Sequence, residues 1–330
     1  MDSKQGALYT ILVLGGIGLL AVSCSDSDDN NGHGAKVEHG KTVEHKAADA
    51  HAPAESAHGA VIEHKTATVV AGDSSHGIDH GSVSGEACEG FGPQTPRDID
   101  SLGGENKRMF TMAPPSTEMN LCNIHFHENA EHKAKAFSIY AGDGNHGYDS
   151  GYQCGISKEL TKAELAPTKG AICKGKHGDL QPGDTIEVHW VHSSANVKPG
   201  PTLGSCLDDA TMNPALRVET QVFTLVNDKN ALNFNDLDYD GNMVKGYHQP
   251  KALPTNTGKA VEFLGSTTGP KYNDQQCSPL QVAWSVRPQC AKLDINSVGE
   301  WCKDNAFDED HAHGVRKLVT NPKLLSNIKQ

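Results

Sequence analysis

Three histidines in two short segments have a spacing that could hold a metal ion. His125 and His127 are two residues apart, and His189 lies in the segment 185–192. Side chains alternate between the two faces of a β-strand, so His125 and His127 would share one face of a strand. Glu187 would share a face with His189 in the same way. A sheet that pairs the two strands would bring three imidazoles and a carboxylate together.

Three neutral protein ligands are typical of a catalytic zinc site, because they leave the fourth tetrahedral position open to water. The metal would acidify that water and so provide a nucleophile at neutral pH. A carboxylate beside the ligands, here Glu187, could fix the tautomer of one imidazole. Many β proteins contain a His-x-His pair, so buried histidines satisfied by hydrogen bonds remain an alternative on spacing alone.

The elements that must position these residues are mostly strands. Apolar and polar residues alternate with period two at 185–192 and 280–286, and less strictly at 218–226. Helix signals are restricted to 158–165 and to the tail near 315–325. The sequence therefore predicts a mainly β (α+β) single domain with a central twisted sheet and a few short helices.

The N-terminal segment has the pattern of an export signal. Residues 7–22 are small or apolar and follow Lys4, and the run is too short for a typical membrane span. The sequence Leu-Ala-Val-Ser-Cys at 20–24 is typical of a lipoprotein cleavage site. We expect residues 1–23 to be a lipoprotein signal peptide and Cys24 to carry a lipid that attaches the chain to a membrane. An uncleaved anchor helix or a plain signal peptide is the alternative.

Residues 24–83 contain almost no large apolar side chains, so they cannot bury enough surface to offset the entropy of ordering. We expect a disordered, histidine-rich tether, followed by a globular domain over 84–330. The tether contains eight histidines, namely His33, His39, His45, His51, His58, His64, His76 and His80. A polar spacer is the favoured interpretation of this segment, and a low-affinity zinc buffer is the alternative.

Cysteine content and net charge limit the environment and the partners. Eight cysteines remain besides Cys24, an even count that predicts a disulfide framework in an oxidising compartment. We therefore expect an exported, lipid-anchored protein, periplasmic or at the cell surface. The net charge is −12, without a basic patch, so nucleic acid is not an expected partner. The oligomeric state is left open.

Four segments, in chain order, resemble the carbonic anhydrase superfamily. They are GFGPQTPRDI at 90–99, IHFHENAEH at 124–132, IEVHWVH at 186–192, and GSTTGP at 265–270 followed by Val282-Ala283-Trp284. The residues of these segments resemble the delta class most, and the predicted zinc site resembles that of the alpha class. The resemblance covers roughly residues 85–325 and implies a largely antiparallel central sheet.

The resemblance implies zinc-dependent, reversible hydration of CO2 to bicarbonate and a proton. It makes His125, His127 and His189 the zinc ligands and Glu187 the hydrogen-bond partner of His189. It also implies a gate, in which Glu131 and a loop threonine orient the attacking oxygen. Both Thr267 and Thr268 are candidates for that threonine. Two further histidines match structural positions in the family, His132 and His192, of which His132 is the main rival as a ligand.

Supporting roles also follow from the resemblance. Val188, Val282 and Trp284 would line the apolar side of the CO2 pocket, although ordinary sheet core is an equal alternative for each. Cys88 and Cys277 would form a disulfide.

A non-catalytic zinc-binding lipoprotein, with the tether as its functional part, is the second hypothesis. An acidic cluster at 308–313, which contains His311 and His313, is interpreted as a solvated face.

Overall fold

A computed structural model describes residues 88–108, 110–144, 148–176 and 178–329. The predicted signal peptide, the lipidation site at Cys24 and the histidine-rich tether lie outside these residues, so they stay predictions. In the part of the chain that is described, no helix is long and apolar enough to cross a membrane.

The described residues form ten strands. They are β1 (Asn120–Glu128), β2 (Phe137–Tyr140), β3 (Tyr152–Cys154), β4 (Thr185–Ser193), β5 (Leu216–Val226), β6 (Met243–Val244), β7 (Tyr247–His248), β8 (Val261–Ser266), β9 (Gln281–Val286) and β10 (Ala291–Asp294). Six of them form the central sheet, in the order β1-β4-β5-β9-β8, with β10 also paired to β5. The pairs β2–β3 and β6–β7 form two small sheets.

The central sheet is mixed. The pairs β1–β4, β4–β5 and β8–β9 are antiparallel. The pairs β5–β9 and β5–β10 are parallel. The expectation of a mainly β domain with a largely antiparallel sheet is confirmed, with the parallel pairs concentrated on β5.

Strand β4 lies in the interior of the sheet with all nine residues buried. Ile186, Val188 and Trp190 pack into an apolar cluster with Phe126 of β1 and the single α-helix. Val191, from the alternate set of side chains, packs into a second cluster that includes Val282 and Trp284 of β9. The sheet therefore has a core on each face, and a polar side chain on β4 can only be accommodated if it finds a partner.

One α-helix is present in the described residues, α1 (Ile295–Trp301), and Asp294 caps it by accepting from the backbone N–H of Asn296. Short 3₁₀ segments occur at Ser116–Glu118, Gly155–Glu159, Leu203–Cys206, Phe234–Asp236 and Pro322–Leu324. Helix α1 was not predicted, because it is too short to show a periodic pattern of apolar residues.

The helix predicted over 158–165 is wrong. The chain there makes the end of a 3₁₀ segment and a single turn, closed by the bond from Leu165 N–H to Thr161 C=O. The carboxylate of Glu164 accepts hydrogen bonds from the backbone N–H and the hydroxyl of Thr161, and it forms an ion pair with Lys292 of β10. The contact with the sheet, rather than helix propensity, therefore fixes this turn. The tail near 315–325 contains only the 3₁₀ segment Pro322–Leu324.

Four disulfides join distant parts of the described chain: Cys88–Cys277, Cys122–Cys206, Cys154–Cys290 and Cys173–Cys302. The first is the pair that the family resemblance implies. Two others attach the long segment between β1 and β4 to the C-terminal region. Disulfides of this number indicate an oxidising, exported environment.

Candidate metal centre

The register of β1 against β4 brings the three histidines together. His125 lies directly opposite His189, and His127 lies opposite Glu187. Because His125 and His127 share one face of β1, their rings point to the same side as His189 and Glu187. The ring centroids of His127 and His125 are 4.8 and 5.0 Å from that of His189. Strand alternation and one register are therefore sufficient to assemble the group.

Each histidine has one ring nitrogen that is held by an acceptor. The Nδ1 of His125 is 2.6 Å from Asn123 Oδ1, and the Nδ1 of His127 is 3.0 Å from the carbonyl oxygen of Gly314. The Nε2 of His189 is 2.7 Å from Glu187 Oε1. A neutral ring that donates through one nitrogen leaves the other as an acceptor or metal ligand.

The remaining nitrogens face each other. His125 Nε2 is 3.2 Å from His189 Nδ1. His127 Nε2 is buried and has no hydrogen-bond partner among the described residues. One nitrogen from each ring lies within 4.8 Å of the others. Two ligands bound at zinc distances to one tetrahedral ion would be about 3.3 Å apart. The 3.2 Å pair of His125 and His189 matches this spacing, and the three rings together could hold a metal ion.

Burial keeps these imidazoles neutral, the form that binds a metal. It lowers the pKa of His125 well below its ordinary value, and the nearby rings of His189 and His127 lower it further. Burial lowers the pKa of His127 to about 4, with a further contribution from His313. Burial also lowers the pKa of His189, although its hydrogen bond with Glu187 opposes the shift.

Glu187 joins two histidines. Its Oε1 accepts from His189 and lies 2.7 Å from the Nδ1 of His132, and its Oε2 accepts from the backbone N–H of His132 at 3.0 Å. Burial alone would raise the pKa of Glu187, but its interactions with His132 and His189 outweigh burial and hold that pKa well below its ordinary value. His132 therefore shares the carboxylate of Glu187 and is not part of the trio of converging rings.

The two loop threonines differ in their surroundings. The hydroxyl of Thr267 is buried and lies 2.7 Å from Ser278 Oγ. The hydroxyl of Thr268 lowers the pKa of the Glu131 carboxyl, whose two oxygens have no other hydrogen-bond partner among the described residues. Burial is the larger effect on Glu131 and raises its pKa overall. Of the two threonines, Thr268 is the one whose hydroxyl affects the pKa of Glu131.

The apolar side chains divide between the two cores. Trp284 places its ring centroid 5.1 Å from that of His189, and Val282 packs in the same cluster. Val188 was predicted to lie with them, and this prediction is wrong. Strand alternation puts Val188 on the face opposite His189, in the other core. Val191, two residues from His189, lies in the same core as Trp284.

The structure adds one histidine that the sequence pattern did not assign to the site. His313 lies beside β1, where its backbone N–H donates to Phe126 and its carbonyl accepts from Glu128. Its ring centroid is 5.9 Å from that of His125, and its Nε2 is 2.7 Å from Glu309 Oε2. Glu309 is buried and raises the pKa of His313, whose side chain is 39% exposed, so the interpretation of 308–313 as a solvated face is wrong for Glu309.

His192 lies at the end of β4, outside the trio, with its Nδ1 3.1 Å from the carbonyl oxygen of Trp190. Burial lowers its pKa to about 4.

Several solved structures have a partial likeness to the chain. An alpha-carbonic anhydrase from Thermovibrio ammonificans is 14% identical, with 69% of this chain and 83% of that one covered and a TM-score of 0.25. A carbonic anhydrase from Chlamydomonas reinhardtii is 17% identical, with 74% and 96% covered and a TM-score of 0.26. TM-scores this low support no argument. No curated protein matches the chain.

A family model described as delta carbonic anhydrase matches residues 116–297, which is more than half of the chain and includes β1, β4 and the threonine loop. The match agrees with the resemblance carried by the histidine segments. The chain therefore belongs to the delta carbonic anhydrase family and is a carbonic anhydrase.

Proposed function

We propose that the protein catalyses the reversible hydration of CO2 to bicarbonate and a proton with a zinc ion held by His125, His127 and His189. The observation that carries this proposal is the convergence of one ring nitrogen from each histidine within 4.8 Å. The opposite nitrogen of each ring is held by an acceptor. CO2 and bicarbonate are the substrates expected of the family.

A zinc ion at this site would lower the pKa of water to about 7, an effect for which carbonic anhydrase is itself the standard example. The chain supplies orientation. Asn123, Glu187 and the carbonyl of Gly314 fix the tautomer and the ring plane of the three histidines. Since all three rings are neutral, they leave the positive charge of the ion uncompensated, which favours acidic water.

Glu131 and Thr268 are proposed as the gate that aligns the attacking oxygen. The hydroxyl of Thr268 would donate to the carboxylate of Glu131 and would then only be able to accept from the attacking oxygen. This arrangement would direct a lone pair of that oxygen toward CO2. The proximity of the two side chains supports Thr268, and the bond of Thr267 to Ser278 argues against Thr267.

The apolar wall of the site is proposed to receive CO2. Trp284 and Val282 of β9 and Val191 of β4 are buried in one cluster beside His189. CO2 has no net dipole and no donor group, so an apolar surface can hold it without loss of hydrogen bonds. The indole N–H of Trp284 donates to the carbonyl of Ser266, which keeps the ring in place and satisfies its polar group.

The test combines stopped-flow CO2 hydration with the zinc content of the full chain. The zinc content is measured after dialysis against a weak chelator, because the histidines of the tether could bind additional zinc. We expect about one zinc per chain with hydration in the native protein, and loss of both in His189→Asn. His311→Ala removes a partly exposed histidine outside the trio and serves as the control that keeps both.

His132→Asn tests the rival ligand. If hydration persists in His189→Asn and disappears in His132→Asn, the third ligand is His132 and the proposal is wrong. Zinc bound without hydration in the native protein would instead favour a zinc-binding protein without catalysis.

We also propose that residues 1–23 are removed, that Cys24 carries a lipid, and that residues 24–83 tether the domain 84–330 to a membrane. The lipobox-like sequence supports the anchor, and the disulfides support export. Mass spectrometry of the mature N-terminus, with Cys24→Ser as the control, tests it. An unmodified Cys24 in membrane-bound protein would reject the lipid anchor.

A further inference from the structure

The threonine of the proposed gate lies in a long loop, residues 267–280, which connects β8 to β9. At the base of this loop the backbone N–H of Thr267 donates to the carbonyl of Leu280 at 2.9 Å. The strand pairing ends there, and Thr268 is the next residue. Side-chain contacts at the base of the loop must therefore help to fix where the hydroxyl of Thr268 lies.

The side-chain amide of Gln94 joins the two ends of this loop. Its Oε1 accepts from the backbone N–H of Ser278 at 2.9 Å and from the hydroxyl of Ser266 at 3.4 Å. Its Nε2 donates to the carbonyl of Ser278 at 3.0 Å and to that of Gly92 at 2.9 Å. Gln94 is 0% exposed, so water does not compete for these bonds. One side chain thus satisfies both backbone groups of Ser278, as a neighbouring strand would.

The segment that carries Gln94 is itself held from several sides. The backbone N–H of Gln94 donates to the carbonyl of Leu324 at 2.7 Å. The carbonyl of Thr95 accepts from Nη1 of the buried Arg316 at 2.7 Å, and the hydroxyl of Thr95 accepts from the backbone N–H of Ser266 at 3.0 Å. The loop is therefore tied to a supported segment outside the central sheet as well as to β9.

The path from this amide to the gate is short. Ser278 Oγ lies 2.7 Å from the hydroxyl of Thr267, which directly precedes Thr268. A shift of Ser278 would therefore move Thr268 relative to Glu131, and catalysis by alignment is sensitive to shifts of about 1 Å. Loss of the Thr267 hydroxyl alone would break one contact and leave the bonds of Gln94 in place.

We propose that Gln94 is a positioning residue for CO2 hydration. Its amide fixes the base of the loop and thereby the position of the Thr268 hydroxyl relative to the carboxylate of Glu131. None of its hydrogen bonds reaches a histidine of the metal centre, so zinc binding does not depend on it. The inference rests on the proposed gate and adds a residue that acts on it from outside the site.

Gln94→Leu in the full chain tests the proposal, because it removes the amide and leaves a side chain of similar size. We expect kcat/KM to fall about tenfold in stopped-flow assays, with the zinc content and the circular dichroism of the native protein. Gln249→Leu is the matched control. Gln249 is also buried, and its Nε2 donates to the carbonyls of Ser116 and Met119, away from the loop. This control should keep kcat/KM within about twofold.

A double variant separates positioning from a general structural effect. If Gln94 acts through Thr268, Gln94→Leu combined with Thr268→Val should lose no more kcat/KM than Thr268→Val alone, because the hydroxyl to be positioned is already absent. An effect independent of Thr268 would instead multiply the two losses.

Gln94→Glu decides the question if Gln94→Leu does not fold. It keeps the shape of the side chain and an acceptor oxygen for Ser278 N–H, but an ionised carboxylate cannot donate to the carbonyls of Ser278 and Gly92. We expect about a threefold loss of kcat/KM, with the same absence of a further loss when it is combined with Thr268→Val.

Three results would overturn the proposal. They are native kcat/KM in both Gln94 variants, multiplied losses in the double variants, and loss of zinc in Gln94→Leu. The outcome for the gate is read separately. Native kcat/KM in Thr268→Val would reject the gate and this inference together, whereas a loss in Thr268→Val without a loss in the Gln94 variants would reject only the role of Gln94.

Discussion

The paired strands β1 and β4 and the irregular segments beside them contribute to one site by different physical means. On the strands, alternation and register bring His125, His127 and His189 to one face, and local acceptors then orient the rings. In the irregular segments, Thr268 and Gly314 reach the site because distant parts of the chain hold them. The first kind of placement is encoded within a few residues of sequence, and the second is encoded over the whole domain.

The largest effect is expected on the strand side. His127→Ala removes a ring nitrogen that is buried and has no other partner among the described residues. We expect zinc content to fall below a tenth of the native value and hydration to fall roughly a thousandfold or more, since the nucleophile depends on the ion. Zinc analysis and stopped-flow assays measure both. Retention of zinc and of rate would show that the strand register does not define the ligands.

Glu187→Gln comes next. The amide keeps the shape of the side chain but cannot accept in the same way from both His189 and His132. We expect zinc affinity to fall about 10- to 100-fold, measured by competition with a chelator. His192→Gln, on the same strand but outside the trio, is the matched comparison and should change zinc affinity less than threefold. If both variants lost zinc affinity equally, the strand would tolerate no change of a buried polar side chain.

Variants of Thr267 and Thr268 test the contribution of the irregular segments. Thr268→Val should lower kcat/KM roughly 100-fold with zinc retained, because it removes the proposed alignment of the attacking oxygen. Thr267→Val should keep kcat/KM within about threefold and should lower the free energy of unfolding by about 1 kcal/mol, because it breaks a buried hydrogen bond with Ser278. Stopped-flow assays and urea unfolding separate the two. The reverse pattern would make Thr267 the gate.

Gly314→Ala should have the smallest effect on zinc. An added Cβ would lie 1.8 Å from Asp149 Oδ1, so either the Asp149 side chain moves or the backbone shifts together with the carbonyl that holds His127. We expect about 1–3 kcal/mol of destabilisation and a less than tenfold loss of zinc affinity. Thermal unfolding with and without added zinc measures this. Gly170→Ala is the control, because an added Cβ there meets nothing within 4 Å and the backbone is not in the left-handed region. A loss of zinc as large as in His127→Ala would remove the distinction between the two regions.

These differences explain what the sequence could and could not predict. Alternation at 185–192 and the pair His125 and His127 were enough to predict the strands and the converging rings. The sequence analysis placed Val188 in the pocket with Val282 and Trp284, although the same alternation puts it on the face opposite His189. The error arose because the sequence pattern did not show that both faces of β4 are buried in a core. His313 gave no local signal, since its approach to His125 depends on how residues 309–316 cross the edge of β1.

Helices were the weakest part of the prediction for a related reason. The turn at Thr161–Glu164 contains good helix formers, but a contact with Lys292 of β10 decides its conformation. α1 has only seven residues and begins at Ile295, directly after Asp294, which ends β10 and caps the helix. Short elements in a domain stapled by four disulfides owe their conformation to tertiary contacts more than to propensity.

The complete burial of β4 has a consequence for the evolution of the protein. Each of its nine side chains is buried, and the two at its ends, Thr185 and Ser193, make hydrogen bonds to Cys154 and Cys206. In a saturation mutagenesis library selected for activity, this stretch should accept few substitutions at any position. Strand β2, where two of four residues are exposed, should accept many at alternate positions. New variants of this enzyme would therefore arise in its loops, while the strand that carries His189 would change least.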